Sequence, residues 1–208
     1  MSIFKKTIKF IFPSKLLILI KNNLSFLEWL IKNKPTPPPH IIKQKAIKKY
    51  AEKYNIKTLI ETGTYRGKMV NAMRNVFDKI YSIELDTILY EKAVNKFEGY
   101  ESIKIINGDS GEKLSEILET VNEPCIFWLD GHYSGDITAK GDLNTPIFKE
   151  LISIFNHPTK NHIILIDDAR CFVGKNDYPT IEKLQSFIKT KNDNLKLTTK
   201  NDIIKILC

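Results

Sequence analysis

Six carboxylates sit where an open α/β sheet would present a ligand site. Five short β-rich runs end in or near an acid: Glu61, Glu84, Asp109, Asp130 and the pair Asp167-Asp168. Ligands of such sheets bind outside the carboxyl ends of the strands. Helix capping accounts for one or two of these acids, Asp109 or Ser110 first. It does not account for a double acid directly after the apolar stretch Ile163 to Ile166. His132, two residues after Asp130, is the candidate general base. Arg170, just beyond the acid pair, either meets an acidic substrate group or pairs with a neighbouring acid.

The first run leads into Glu61-Thr-Gly-Thr-Tyr-Arg-Gly67 and then a helical stretch. Glycines there let the backbone approach a ligand at a helix start, where amide groups favour an anion. A nucleotide P-loop needs four residues between its glycines followed by Lys and a hydroxyl residue. Gly63 to Lys68 is one residue short, and Met69 replaces the hydroxyl. A dinucleotide fingerprint needs G-x-G-x-x-G, which Thr64-Tyr65-Arg66 does not supply.

The elements that must position these residues alternate. Strand-like runs fall at 58–61, 80–84, 103–106, 125–130 and 162–167. Helical stretches centre on 68–78, 87–97, 111–121, 146–156 and 179–189, and a further helix with a lysine-rich outer face covers 41–54. Thr145-Pro146 reads as a cap followed by a proline in the first turn. This alternation predicts a doubly wound, mostly parallel sheet with helices on both faces. Leu195 to Thr199 and Ile203 to Leu207 lack a helix between them, which predicts a closing hairpin and an antiparallel C-terminal strand, seven strands in all. The connection from His132 to Asn144 is long and rich in Gly, Ser, Thr and Asp. It is either a functional loop or a plain surface excursion.

Charge is unevenly placed. The 208 residues carry 32 Lys and Arg against 24 Asp and Glu, yet residues 1–34 alone hold seven lysines and one acid, Glu28. The body is near neutral, which argues against nucleic acid as a partner. Three scattered cysteines exclude a disulfide scaffold or zinc cluster and point to a reduced, cytoplasmic setting. The front end lacks a small-residue cleavage site and is too short in its apolar run to span a bilayer. From Ser14 to Lys32 the pattern is helical, with Leu16, Leu17, Ile20, Leu24, Leu27, Leu30 and Ile31 on one broad face and Trp29 on the polar side of its boundary. Two readings stand: a helix packed on its own domain or on a twin subunit of a homodimer, or an interfacial helix on an anionic membrane at the inner face. Pro35, Pro37, Pro38 and Pro39 make a stiff linker, so the expected organisation is leader 1–34, linker 35–39 and domain 40–208.

Residues 57 to 207 resemble the class I S-adenosylmethionine-dependent methyltransferases. The resemblance rests on the mostly parallel sheet with a reversed last strand, the acid and glycines Glu61, Gly63 and Gly67, Glu84 after the second strand and Asp109 after the third. It implies S-adenosyl-L-methionine as cofactor. Glu84 would accept hydrogen bonds from the ribose hydroxyls, and Asp109 with Ser110 would lie near the adenine. The loop Gly63, Thr64, Tyr65 to Gly67 would approach the methionine moiety, and Glu61 and Asp130 count among the cofactor-binding residues. Tyr65 departs from the pattern, since many members have glycine there.

Asp130 and Asp167-Asp168 are similar in position to the acids of metal-dependent O-methyltransferases of catechols and sugars. That resemblance implies Mg²⁺ on Asp130, Asp167 and Asp168, with Asp130 and His132 as the catalytic pair and a hydroxylated small molecule or saccharide as acceptor. The segments Glu-Thr-Gly-Thr, Trp-Leu-Asp-Gly-His-Tyr and Ile-Asp-Asp-Ala-Arg resemble those of bacterial methyltransferase-like proteins. The rival expectations are a catalytically inactive binding or scaffold protein on the same fold, and a nucleotide-sugar enzyme with a similar sheet.

Overall fold

The central strand shows why the chain folds as it does. In β4 (Cys125–Leu129) all five side chains are buried. Cys125, Phe127 and Leu129 enter one apolar cluster, and Ile126 and Trp128 enter another on the opposite face. A strand without a polar face must be covered on both sides, as in parallel α/β sheets. The computed structural model describes residues 14–131 and 145–207.

The parallel strands are β1 (Thr58–Thr62), β2 (Lys79–Glu84), β3 (Ile103–Asn107), β4 and β5 (Ile163–Ile166). They are joined by β7 (Ile203–Leu207), antiparallel to β5, and β6 (Leu197–Lys200), antiparallel to β7. The order across the sheet is β3-β2-β1-β4-β5-β7-β6. The chain therefore reverses its direction of travel between β1 and β4, and the crevice of a doubly wound sheet opens at that point. The hairpin turn uses Asn201 and Asp202 at φ 52° and 63°, the consecutive left-handed pair of a two-residue turn whose twist matches the strands.

Helices α1 (Ser14–Ile31), α2 (His40–Tyr54), α3 (Lys68–Met73), α4 (Thr87–Lys96), α5 (Ser110–Leu118), α6 (Ile147–Asn156) and α7 (Ile181–Lys191) flank the sheet, and a 3₁₀ turn spans Ala169–Cys171. One cluster joins α5, α6 and α7 to the sheet through Leu114, Leu151 and Leu184; the other joins α2 and α3 through Ile47 and Met73. One sequence expectation changes. Pro146 occupies the N-cap position of α6 and its carbonyl accepts the Glu150 N–H at 3.1 Å, so helical bonding starts one residue later and Thr145 is not the cap. Helix α1 rests on the body through its Trp29 side, where the indole N–H donates to the Pro35 carbonyl at 2.8 Å. The apolar face, for which both packing and membrane readings stood, carries Ile20, Leu24, Leu27 and Ile31 exposed on the body. A ring that ends in an N–H fits a contact with apolar and polar sides, which the helical leucines do not need.

Candidate active site

At the switch point two glycines permit close approaches within the chain, Gly63 to the end of β4 and Gly67 to the Phe97 ring. Gly63 has φ +83°, and a Cβ there would lie 2.4 Å from the Asp130 carbonyl oxygen. A Cβ on Gly67, at φ +59°, would lie 2.6 Å from the Phe97 ring. Both glycines are thus required by contacts within the chain, which the ligand-approach reading did not anticipate. The Thr62 hydroxyl accepts the Gly131 N–H at 3.1 Å and its carbonyl accepts the Asp130 N–H at 3.1 Å, tying β1 to the end of β4.

Glu84, buried at the end of β2, holds the loop after β1 in place. One of its oxygens accepts the Tyr65 N–H at 2.6 Å and the other the Asp86 N–H at 3.0 Å. Tyr65 takes φ 49° to make that bond. The Leu85 N–H adds a further bond, and the carboxylate keeps part of its acceptor capacity for another donor. Burial pushes the Glu84 carboxyl up, against the pull of those N–H groups. From the other side, the Lys96 ammonium donates to the Arg66 carbonyl at 2.7 Å and the Gly67 carbonyl at 3.0 Å.

Glu61 is fully enclosed. The Ser82 hydroxyl donates to it at 2.5 Å, and Ser82 and Thr64 share a 2.7 Å hydrogen bond. Burial pushes Glu61 up to about 8, so it carries its proton at neutral pH. Asp109 caps α5, accepting the Gly111 N–H at 2.7 Å, as the capping reading expected. The Ser110 hydroxyl donates to buried Glu150 at 2.7 Å.

The acid pair after β5 meets a cation that sequence reasoning had placed elsewhere. Lys43 of α2 reaches across the end of the sheet and donates to the Asp167 Oδ2 and, at 3.3 Å, to the Asp168 Oδ1. The other Asp167 oxygen accepts the Asp168 N–H at 2.8 Å. The Arg170 guanidinium donates to Asp168 at 2.8 Å and to buried Asp202, so Arg170 takes its neighbouring-acid role. Burial opposes charge on Lys43, but Asp167, Asp168 and Asp130 outweigh it and hold the ammonium above its ordinary value. Burial and Asp168 push Asp167 up, to about 6, against the pull of Lys43. The clue was available: at about 100° per residue Lys43 falls between Tyr50 and Ile47, inside the buried arc of α2, while Lys45 and Lys49 fall outside it.

Mg²⁺ does not fit these donors. Both Asp167 oxygens already hold donors, and among the described residues no three His, Cys, Asp or Glu side chains form a group able to hold a metal. The expected trio of Asp130, Asp167 and Asp168 is not gathered as a metal-holding group among the described residues, and the Lys43 ammonium donates to Asp167 and Asp168. Asp130 is half-buried, and its charge is felt at Lys43 and, with Asp168, at the Tyr178 phenol, which is raised first by burial. His132 and the loop to Asn144 lie outside the described residues. S-adenosylmethionine does fit: a glycine loop leads out of β1, and Glu84 beside it offers two buried carboxylate oxygens with acceptor capacity left.

No protein-family model matches the chain, and no curated protein matches it in sequence. Solved structures do match. An O-methyltransferase from Bacillus cereus in complex with S-adenosylhomocysteine aligns at a TM-score of 0.57 and 11% identity over 90% of both chains. An S-adenosylhomocysteine-bound methyltransferase from Podospora anserina aligns at 0.60 and 15% identity, over 94% of this chain and 88% of its own. The O-methyltransferase TomG from Streptomyces achromogenes, in complex with S-adenosylmethionine, aligns at 0.57 and 12% identity, over 89% of this chain and 87% of its own. With the strand order and the reversed β7, these likenesses establish that the chain has the fold of the class I S-adenosylmethionine-dependent methyltransferases.

Proposed function

We propose that the protein transfers a methyl group from S-adenosylmethionine to a hydroxyl oxygen of a small molecule or saccharide. The observation that carries the reading is Glu84: a buried carboxylate at the end of β2, bonded through one oxygen to the loop after β1, at the crevice where the sheet reverses. When bound, S-adenosylmethionine would supply an electrophilic methyl on a sulfonium, with a neutral thioether as the leaving group. Glu84 would accept hydrogen bonds from its ribose hydroxyls. The loop from Gly63 to Gly67, fixed by Glu84 and Lys96, borders the methionine end. Asp109 with Ser110 borders the adenine. Asp130 at the end of β4 orients the acceptor hydroxyl, and His132 takes its proton. Lys43 keeps the acid pair after β5 neutralised, so the acceptor does not meet two bare carboxylates.

Calorimetric titration of the full chain with S-adenosylhomocysteine tests this reading. Binding is expected, and binding of NAD or a nucleotide sugar in its place would overturn it. Glu84→Gln keeps the side chain's shape and removes its charge. Hydrogen bonds to charged acceptors are stronger than neutral ones by enough to make the expected loss about tenfold or more. Unchanged affinity in a folded variant would place the cofactor elsewhere.

A further inference from the structure

Helix α1 settles on the body by the side that leaves its apolar residues in solvent. Ile20, Leu24, Leu27 and Ile31 recur at spacings of four, three and four, one stripe along the helix, and are 41%, 62%, 52% and 85% exposed. Trp29, 6% exposed, lies on the opposite side. Leu30 connects the stripe to a groove of about 390 Å³ between α1, α2 and the β6–β7 hairpin. The floor of that groove includes Phe26, Trp29, Ile42 and Ile203, and its lysines are Lys34, Lys45, Lys49, Lys200 and Lys205; no acidic residue lines it. Among the described residues none of those five lysines has a carboxylate partner. Three of them neighbour aromatic rings: Lys45 sits 3.6 Å from the Phe26 ring centroid, and Lys49 and Lys205 lie 5.9 and 5.5 Å from that of Tyr50.

We infer that α1 and this groove form a docking surface for an anionic membrane, with the leucine and isoleucine stripe among the acyl chains and the lysines on lipid phosphates. The chemistry is that of an interfacial helix, an apolar face beside unpaired cations. No helix of the described residues is long and apolar enough to cross a membrane, so α1 would lie on the surface. Charge selects a bilayer over a second copy of the chain. Residues 1–34 carry seven lysines and one glutamate, so two such faces repel, whereas an anionic leaflet attracts both the leader and the groove. The inference is independent of the methyl-transfer reading.

Co-sedimentation of the full-length protein with vesicles tests it. Vesicles of phosphatidylcholine with about one third phosphatidylglycerol should pellet the protein at low salt and release it as salt rises, while pure phosphatidylcholine should not. Leu24→Ser with Leu27→Ser, at exposed positions that leave the melting midpoint unchanged, should weaken vesicle binding at least tenfold. Lys49→Gln with Lys205→Gln should weaken it about fivefold per lysine on anionic vesicles. Three results would overturn the inference: no binding to anionic vesicles at low salt, equal binding to neutral ones, or full binding by the stripe variant. Sedimentation velocity covers the rival occupant, since a dimer that dissolves in the stripe variant, without vesicle binding, assigns the face to a second copy.

Discussion

Replacing Lys43 by Met tests whether the strand-end acids depend on an internal cation. The Lys43 side chain is 16% exposed, and those of Asp167 and Asp168 are 0% and 11% exposed. Removing one partner of so buried a pair leaves an uncompensated charge and costs about 3–5 kcal/mol. In a chain of this size, each kcal/mol moves the melting midpoint by about 2–4 °C, so the variant should melt roughly 6–20 °C lower. The exposed pair Lys79–Glu123 is the control, and Lys79→Met should leave the midpoint where it is. Adding Asp167→Asn to Lys43→Met removes the orphaned charge and should recover most of the loss, because a buried pair replaced as a whole is often near neutral. The assays are urea unfolding and calorimetry, with the Glu84→Gln variant's fold checked alongside. A single-variant cost below about 1 kcal/mol would refute the reasoning, since 1 kcal/mol is the ceiling for pairs in solvent. So would a double variant as unstable as the single. Millimolar Mg²⁺ should leave wild-type melting unchanged at matched ionic strength, and stabilisation of the wild type would restore the divalent site that Lys43 displaces.

Gly63→Ala should destabilise by about 2–5 kcal/mol, from left-handed strain plus the overlap with the Asp130 carbonyl. Gly99→Ala, at φ +80° with nothing within 4 Å, should cost only the strain, about 1–2 kcal/mol, and equal losses in urea unfolding would contradict the close approach. Glu61 titrates near 8 in the fold and near 4.5 unfolded, so its proton favours the native state. Stability should fall as pH rises from about 4.5 through 8, by an amount of order 4–5 kcal/mol at about 1.4 kcal/mol per pKa unit, and Glu61→Gln should flatten that limb. Burial lowers His162 from 6.5 to about 4, so its contribution is complete above pH 6.5 and is lost as pH falls towards 4. Its ring resonances should not titrate above pH 5 by NMR, and a midpoint near 6.5 would remove it from the buried chain His157–His162–Cys125 N–H.

What could be read from the sequence followed from local periodicity. Strand β4 is apolar at every position and β7 nearly so, which marks burial on both faces wherever the strand later sits. Asn201-Asp202 tolerates left-handed backbone, so the hairpin was legible, with its first strand read at 195–199 where the structure has Leu197–Lys200. On α1 the same logic identified the helical stripe and left two destinations open for it, the body or a membrane. Periodicity reports that a face is apolar, and a single Trp29 off that face decides what the body takes. For Lys43 periodicity marks a position in the buried arc of α2 but names no partner for a side chain long enough to cross to the end of β5. No spacing rule links residues 43 and 167, because their proximity depends on how α2 lies over the sheet.

The strand-end acids look alike in the sequence and differ in what neutralises them. Glu61 is buried with its proton beside Ser82, Asp109 is spent on a helix cap, and Asp167 and Asp168 are held by Lys43 and Arg170. Glu84 accepts backbone N–H groups on both oxygens, while burial raises its carboxyl against their pull. A set of carboxylates that shared one cation would lose its geometry together when that cation left. Here Asp167 and Asp168 share Lys43, whereas Glu61, Glu84 and Asp109 have separate partners, so a neutral variant at Asp109 should be felt locally, while Glu84 and Lys96 together hold the loop after β1. The crevice is therefore preorganised by the chain itself, and a ligand entering it meets one carboxylate already aimed by the backbone.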